Sequence, residues 1–416
     1  MITKSNNGLV FKREIEQNEF LRQTFLSFTT DDNAPDDILE AEFSSTKLDT
    51  FQGVAIGAVV DLDYSVSVGY DRFVQQKVYN KTRKDFETKT EKVTDWQPMS
   101  ASFSGEFNGY AENSDNPRVE LAPCIATAYC TAKSENKQRA SESFDEGESL
   151  IPAKTNAINA AKEYAKSSAV NACKKNLPGD TFKDFSYSGT IQVKSQAELA
   201  IPVYSVDYEY EGSTYTASSF ASGAYQRWGK IPERKKVTAK ENEKKSFFSM
   251  FWSYIKSCAE GNGGTSGNMI KLTTGVTCAT VFLALLAILL PLSVGITVGK
   301  VFFVLASLTL FAQIIALPKI IDMSYAVLLK KKLSLLKFQL EKHGLSPITD
   351  KEENDVEAQV NNGRKNNKNI NIATIVISCF LYAIAAMTSE MFIFGLIVAI
   401  VMVGAKLGLH FWDKKK

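Results

Sequence analysis

The sequence predicts an α+β domain, an antiparallel sheet with one main packing helix, followed by an α-helical membrane region of four spans in two hairpins. Three observations carry that reading. Four apolar runs, at about 273–290, 301–317, 369–387 and 391–411, each approach the roughly 20 residues that cross a hydrocarbon core of about 30 Å. From Val59 onward the first half alternates apolar and polar residues with a period of two, as half-buried strands do. A single small-residue helical pattern, from about Ala153 to Asn176, interrupts those strands.

Composition bounds the function classes. The chain has 416 residues, 44% hydrophobic and 23% charged, which suits one globular domain plus a membrane part. A net charge of +2 argues against a general nucleic-acid binder, whose footprint is a strongly basic face. The first seven residues, Met1 to Asn7, hold no apolar core of signal-peptide length, so the domain that follows is expected to stay where it is made. The six cysteines are scattered and two fall inside predicted spans, which is no disulfide framework and fits reduced thiols in a cytoplasm.

Residues 1–50 read as an irregular N-terminal arm with one or two short helices, since Ile15, Leu21, Phe25 and Phe28 recur loosely at helical spacing. Its acids, Asp31 to Glu42 around Pro35, suit a helix start. Residues 51–232 form the α+β domain. Leu62, Tyr64, Val66, Val68 and Tyr70 alternate with polar residues; strands near 74–81 and 86–96 follow, and Pro98 is expected to interrupt before Met99, Ala101 and Phe103 resume. Residues 132–150 are polar enough for a mobile loop or an exposed helix start. The helix from Ala153 presents Ile158, Ala161, Ala165, Ala169 and Ala172 as a narrow stripe that can lie close on a sheet, and Leu177-Pro178-Gly179-Asp180 ends it. Strands return at 185–193 and 203–210, and Glu211-Gly212-Ser213 turns the chain back through Tyr215.

Within this domain, Ile201-Pro202-Val203-Tyr204, Tyr208-Glu209-Tyr210-Glu211-Gly212-Ser213-Thr214-Tyr215, Gly223 and Gly229-Lys230-Ile231-Pro232 stand just before the membrane runs. With Thr94-Asp95-Trp96-Gln97-Pro98-Met99-Ser100 and Leu177-Pro178-Gly179-Asp180, they resemble, over roughly residues 60–235, a group of uncharacterised bacterial membrane-anchored proteins. In that group a β-rich domain, often behind a zinc ribbon, precedes membrane helices. The chain departs from the pattern in having no N-terminal CxxC pair, hence no ribbon, and four spans in place of a simple anchor. Some such relatives are associated with envelope-stress systems of the phage-shock kind, which is what the resemblance implies for this chain.

Residues 233–272 are a juxtamembrane hinge with an aromatic patch that includes Trp252, suited to the headgroup region or to packing on the soluble domain. The first transmembrane hairpin is 273–317. The loop 318–368 carries a basic amphipathic helix at 324–343, with Leu329, Leu333, Leu336 and Leu340 on one face and Lys330, Lys331, Lys332 and Lys337 off it. That helix suits either the inner leaflet or a protein contact. The polar, Asn-rich stretch from Asp350 to Lys368 reads as a tether. The second hairpin is 369–411 and a basic tail, 412–416, ends the chain. Gln313 is expected to bond between helices, and Gly404 with Gly408 to pack a helix closely, inside the chain or in a homo-oligomer.

Lysines and arginines crowd the segments before, between and after the hairpins, whereas the two short turns offer only Lys300. The positive-inside rule then places the N-terminus, middle loop and C-terminus in the cytoplasm of a multi-pass inner-membrane protein. No catalytic, cofactor or metal constellation stands out: the two histidines, His343 and His410, lie outside the α+β domain, and no cysteine pair has metal-ligand spacing. The expected class is a non-enzymatic scaffold or adaptor without cofactor, bound to membrane lipids and to a cytoplasmic or membrane protein, with no nucleic acid. A channel or membrane-perturbing effector gated by the soluble domain is the alternative.

Overall fold

A computed structural model describes residues 8–31, 33–80, 85–139, 150–232, 265–293, 296–388 and 390–413; side chains are described for these except 76–80, 85–89, 91, 265–266, 268, 291–293 and 403–413. The chain divides into two compact units, one of residues 1–20, 45–206 and 216–229, the other of 21–44, 207–215 and 230–416.

The first unit is built on three very long strands. Strand β1 (Leu9–Phe11) precedes helix α1 (Gln17–Thr30) and the short β2 (Glu42–Phe43); most of α1 and all of β2 belong to the second unit. Then come β3 (Lys47–Asn80) and β4 (Asp85–Glu112), helix α2 (Ala122–Thr131), β5 (Lys137–Arg139), helix α3 (Thr155–Lys175), β6 (Thr181–Tyr210) and β7 (Ser213–Phe220). The strand order is β4-β3-β6-β1-β5, with β2 and β7 also paired to β6. The sheet is mixed, not wholly antiparallel as expected: Leu9 and Val10 run parallel to Leu199 and Ala200. A parallel pair needs a long crossover, and the whole length of chain between β1 and β6 supplies it.

Six expected strand segments merge into three: those near 62–70 and 74–81 fall in β3, 86–96 and 99–103 in β4, and 185–193 and 203–210 in β6. Pro98 does not interrupt β4; it stays in register opposite Ser67. The reason is its place in the sheet. β4 is an outer strand, where a residue without an N–H costs no ladder bond on the open side. Likewise 181–193 and 203–210 form the one strand β6, with register shifts against β3 between Gly57 and Ala58 and between Ser65 and Ser67.

Alternation assigns the two faces of β3. Val54, Ile56, Ala58, Val60 and Leu62 are buried under α3, whose Ala157, Ala161, Ala165 and Ala169 have no exposed surface. The small-residue stripe allows so close an approach that a Cβ at Gly109 would collide with the Ala161 carbonyl oxygen. On the opposite face α2 covers only the near end, where Leu121, Cys124, Ile125 and Ala128 pack on Phe51, Ala55 and Tyr110.

The second unit contains α4 (Thr265–Ser293), α5 (Ile296–Phe311), a π-turn over Ala312–Ala316, α6 (Leu317–Lys342), α7 (Asp350–Thr388) and α8 (Phe392–Asp413). Among the described residues three helices, not four, are long and apolar enough to cross a membrane: Met269–Leu290, Ile296–Lys342 and Asp350–Thr388. The fourth run lies in α8, whose described apolar stretch, Phe392–Met402, is shorter. Two further expectations change. The second apolar run does not end at Leu317 but continues through the π-turn and Pro318 into α6, where Pro stands near the first-turn position it tolerates. The Asn-rich stretch is the first half of α7 and no tether. Thr349 and Glu352 form a capping box at its start, with the Thr349 N–H donating to Glu352 Oε2 at 2.9 Å, and Val356 and Val360 are buried.

Candidate functional site

Beyond α2 the face of the long sheet opposite α3 is open, with Asp63, Ser65, Ser100, Ser102, Ser104, Ser186, Ser188 and Thr190 exposed. Past the part covered by α2, odd-numbered residues of β3 form rows with their partners: Ser104–Asp61–Thr190, Ser102–Asp63–Ser188 and Ser100–Ser65–Ser186. The Ser102 and Ser104 hydroxyls donate to Asp63 at 2.6 Å and Asp61 at 2.5 Å, and the Ser65 and Ser186 hydroxyls lie 2.7 Å apart. These groups hold one another in place, and none of the three rows of this platform carries a large side chain.

Each end of the platform is different. Near α2 a cavity of about 270 Å³ is lined by Gly57, Asn108, Tyr129, Arg139, Ser195 and Gln196, among others. At the far end Trp96 lies over Gly69, where a Cβ would press on the indole at 3.0 Å, and the Lys183 ammonium stands 4.1 Å from the indole centroid. Beyond Gly69 strand β6 has no more pairing, so β3 and β4 continue as a two-stranded ribbon. That ribbon carries Phe73, 74% exposed, and the Lys92–Asp71 pair at 2.6 Å. Hydrogen bonds from Lys92 and then Thr94 hold the Asp71 carboxyl below its ordinary range. From Gly57 to Phe73 the platform runs about 53 Å at ~3.3 Å per residue. An isolated two-stranded ribbon is marginal in water.

The residues singled out by sequence lie elsewhere. Trp252 and the rest of 233–264 are outside the described residues. Lys330 and Lys337 are exposed, Lys337 pairing with Glu353 at 3.4 Å. Lys331 reaches Glu40 at 3.0 Å. Lys332 is buried: its ammonium donates to the Thr29 carbonyl at 2.9 Å and lies 3.9 Å from Asp36, itself buried. The covered stripe of α6 runs through Ile321, Tyr325, Leu328, Lys332, Leu336 and Leu340, so Lys332 sits on it, while Leu329 and Leu333 are half-buried. The acids near Pro35 are thus partners for α6. Arg22 adds a bidentate pair with Glu352, Nη1 to Oε1 at 2.6 Å, plus the Ser346 and Pro347 carbonyls. Among the described residues no group of three or more His, Cys, Asp or Glu could hold a metal.

Gln313 lies in the π-turn with no exposed surface, and its Nε2 donates to Thr277 at 3.0 Å and Thr374 at 3.1 Å, joining three helices. Asn371 donates to the Gln313 carbonyl at 3.4 Å, Asn367 donates to the Tyr325 hydroxyl at 2.5 Å, and Ser307 meets Tyr382 at 2.8 Å. Sequence reasoning identified Gln313 but missed this line of partners, whose signal was the spacing of Asn367, Asn371, Thr374 and Ser378 on one helical face. Gly404 and Gly408 lie in α8, beyond the described side chains.

No family model, curated protein or solved structure matches this chain.

Proposed function

We propose that the chain is a non-enzymatic scaffold of a bacterial inner membrane, held by its apolar helices, whose sheet unit binds a protein partner on the cytoplasmic side. The observation that carries the reading is the platform. A sheet face about 53 Å long, hydroxyl-lined over its Asp61, Asp63 and Ser65 rows and ending in Trp96 and an exposed Phe73 on an overhanging ribbon, offers an extended contact area and aromatic anchors of the kind that dominate interfaces. The resemblance to relatives associated with envelope stress supports that pathway as the setting, and the lysine bias supports the cytoplasmic side.

A channel is the second reading, favoured by the buried polar line along α7. It is the weaker one. The polar line gives way after Tyr382 to Phe303, Ala385 and Ala386, which pack with Ala284, Ala287 and Ala306 into an apolar cluster, whereas conduction needs a wet path.

Co-purification from native membranes tests the scaffold. Full-length protein is expected to retain a stoichiometric protein partner that the Phe73→Ser, Trp96→Ser double variant loses by at least tenfold at unchanged melting temperature. A partner retained equally by the variant removes the platform from the reading, and a turnover activity in the purified chain removes the scaffold class.

A further inference from the structure

The helical unit contains a second opening that the scaffold reading does not use. A cavity of about 420 Å³ lies between the π-turn region, α7 and α8, with walls that include Leu310, Ile314, Ile375, Ala383, Leu396 and Ala399. Its one strongly polar side chain, Tyr382, has its hydroxyl engaged by Ser307 at 2.8 Å. The wall therefore presents hydrocarbon with little left to bond a polar ligand. Small residues shape it: α8 touches α7 at Gly395, where a Cβ would meet Ala386 at 3.2 Å, and Ala383 and Ala399 leave room beyond.

We propose that this slot binds one acyl chain of a membrane lipid. Two of its three walls belong to helices long and apolar enough to cross a membrane, so the medium against its mouth is lipid hydrocarbon. The rim is apolar and open, with Met387, Phe392 and Leu396 64%, 60% and 54% exposed. Its length fits a single chain. Along α7 the lining runs from Ile375 to Met387, about 18 Å at ~1.5 Å per residue, and one leaflet of a hydrocarbon core about 30 Å thick is about 15 Å. The volume lies in the range of ligand pockets, which is roughly 300–1,000 Å³. Recognition is of the chain, not the headgroup.

The test reconstitutes the full chain in liposomes doped with phosphatidylcholine or phosphatidylglycerol carrying a diazirine in one acyl chain, followed by irradiation and peptide mapping. Adducts at the half-buried Ile314 and Ile375 of the lining are expected to exceed those at Val376, Ile377 and Phe380 at least threefold with either headgroup. Those last three residues are 65%, 55% and 66% exposed on the outer side of α7, so random lipid contact alone would favour them. Ala399→Phe, or the milder Ala383→Leu, is expected to bring slot adducts down to the outer level while helical circular dichroism is unchanged. Equal or reversed labelling overturns the proposal, as does slot labelling that neither variant lowers in a folded protein.

Discussion

At the scale of the residue, Lys332 shows how sign and burial separate. By charge it joins Lys330 and Lys331 as one basic run, and a membrane-surface role suits all three. Folding distinguishes them: Lys330 is exposed, Lys331 pairs with Glu40, and Lys332 enters a pocket between the Thr29 carbonyl and Asp36. No local pattern could separate neighbours one residue apart, because the distinction depends on a segment some 300 positions earlier in the chain. Removing one member of a buried pair leaves the other without its countercharge, at a cost of about 3 kcal/mol. Lys332→Ala is therefore expected to lower the stability of the helical unit by about that amount in denaturant titration, and Lys330→Ala by less than about 0.5 kcal/mol. Equal effects would mean that Lys332 makes no such pair. Gln313 is the opposite case. An amide inside an apolar run reads as an interhelical bond from composition alone, and it bonds two threonines on neighbouring helices.

At the scale of the element, strand alternation and helix periodicity were legible, and boundaries set by tertiary pairing were not. The Ala-striped helix lies at Thr155–Lys175 as its pattern foretells. By contrast Pro98 looked like a break because a proline is one in a central strand; only the order β4-β3-β6-β1-β5 makes β4 an outer strand. The Asn-rich half of α7 looked like a tether because its helix is decided by packing on α6 and by the Thr349–Glu352 box. Glu14 performs a similar joining role among elements of the sheet unit. Its carboxylate accepts from the Lys133 N–H and the Asn136 amide at 2.9 Å each, and from the Gly223 N–H at 3.2 Å. Burial pushes its pKa up, but the Asn136 hydrogen bond and those two backbone bonds outweigh burial and hold it below 4.5. A depressed folded-state value contributes stability above pH 4.5 that is lost as pH falls through that lower value. Glu14→Ala is expected to cost about 2 kcal/mol at neutral pH and to flatten the loss of stability below pH 4.5 in acid titrations. An unchanged acid profile would assign that loss to other carboxylates, such as Glu112, which hydrogen bonds from Arg118 also hold low.

At the scale of the whole molecule, the apolar runs made a membrane protein legible, and three helices carry the length and composition for it. The platform was not legible. Asp61, Asp63, Ser65 and Ser67 read as the wet side of one strand, and only the pairing with β4 and β6 assembles them with Ser100 to Ser104 and Ser186 to Thr190 into a surface. The proposal that this surface works at the cytoplasmic side of a membrane depends on topology. Cys130 is the apt reporter, because it is exposed, whereas Cys124 and Cys173 are buried and burial pushes both thiols up, so they would resist reagent from either side. The decisive measurement is labelling of a chain whose other five cysteines are alanine, using a membrane-impermeant maleimide. Cys130 should stay unlabelled in intact cells and react fully once the inner membrane is permeabilised; full reaction in intact cells would put the sheet unit outside and contradict the proposed scaffold.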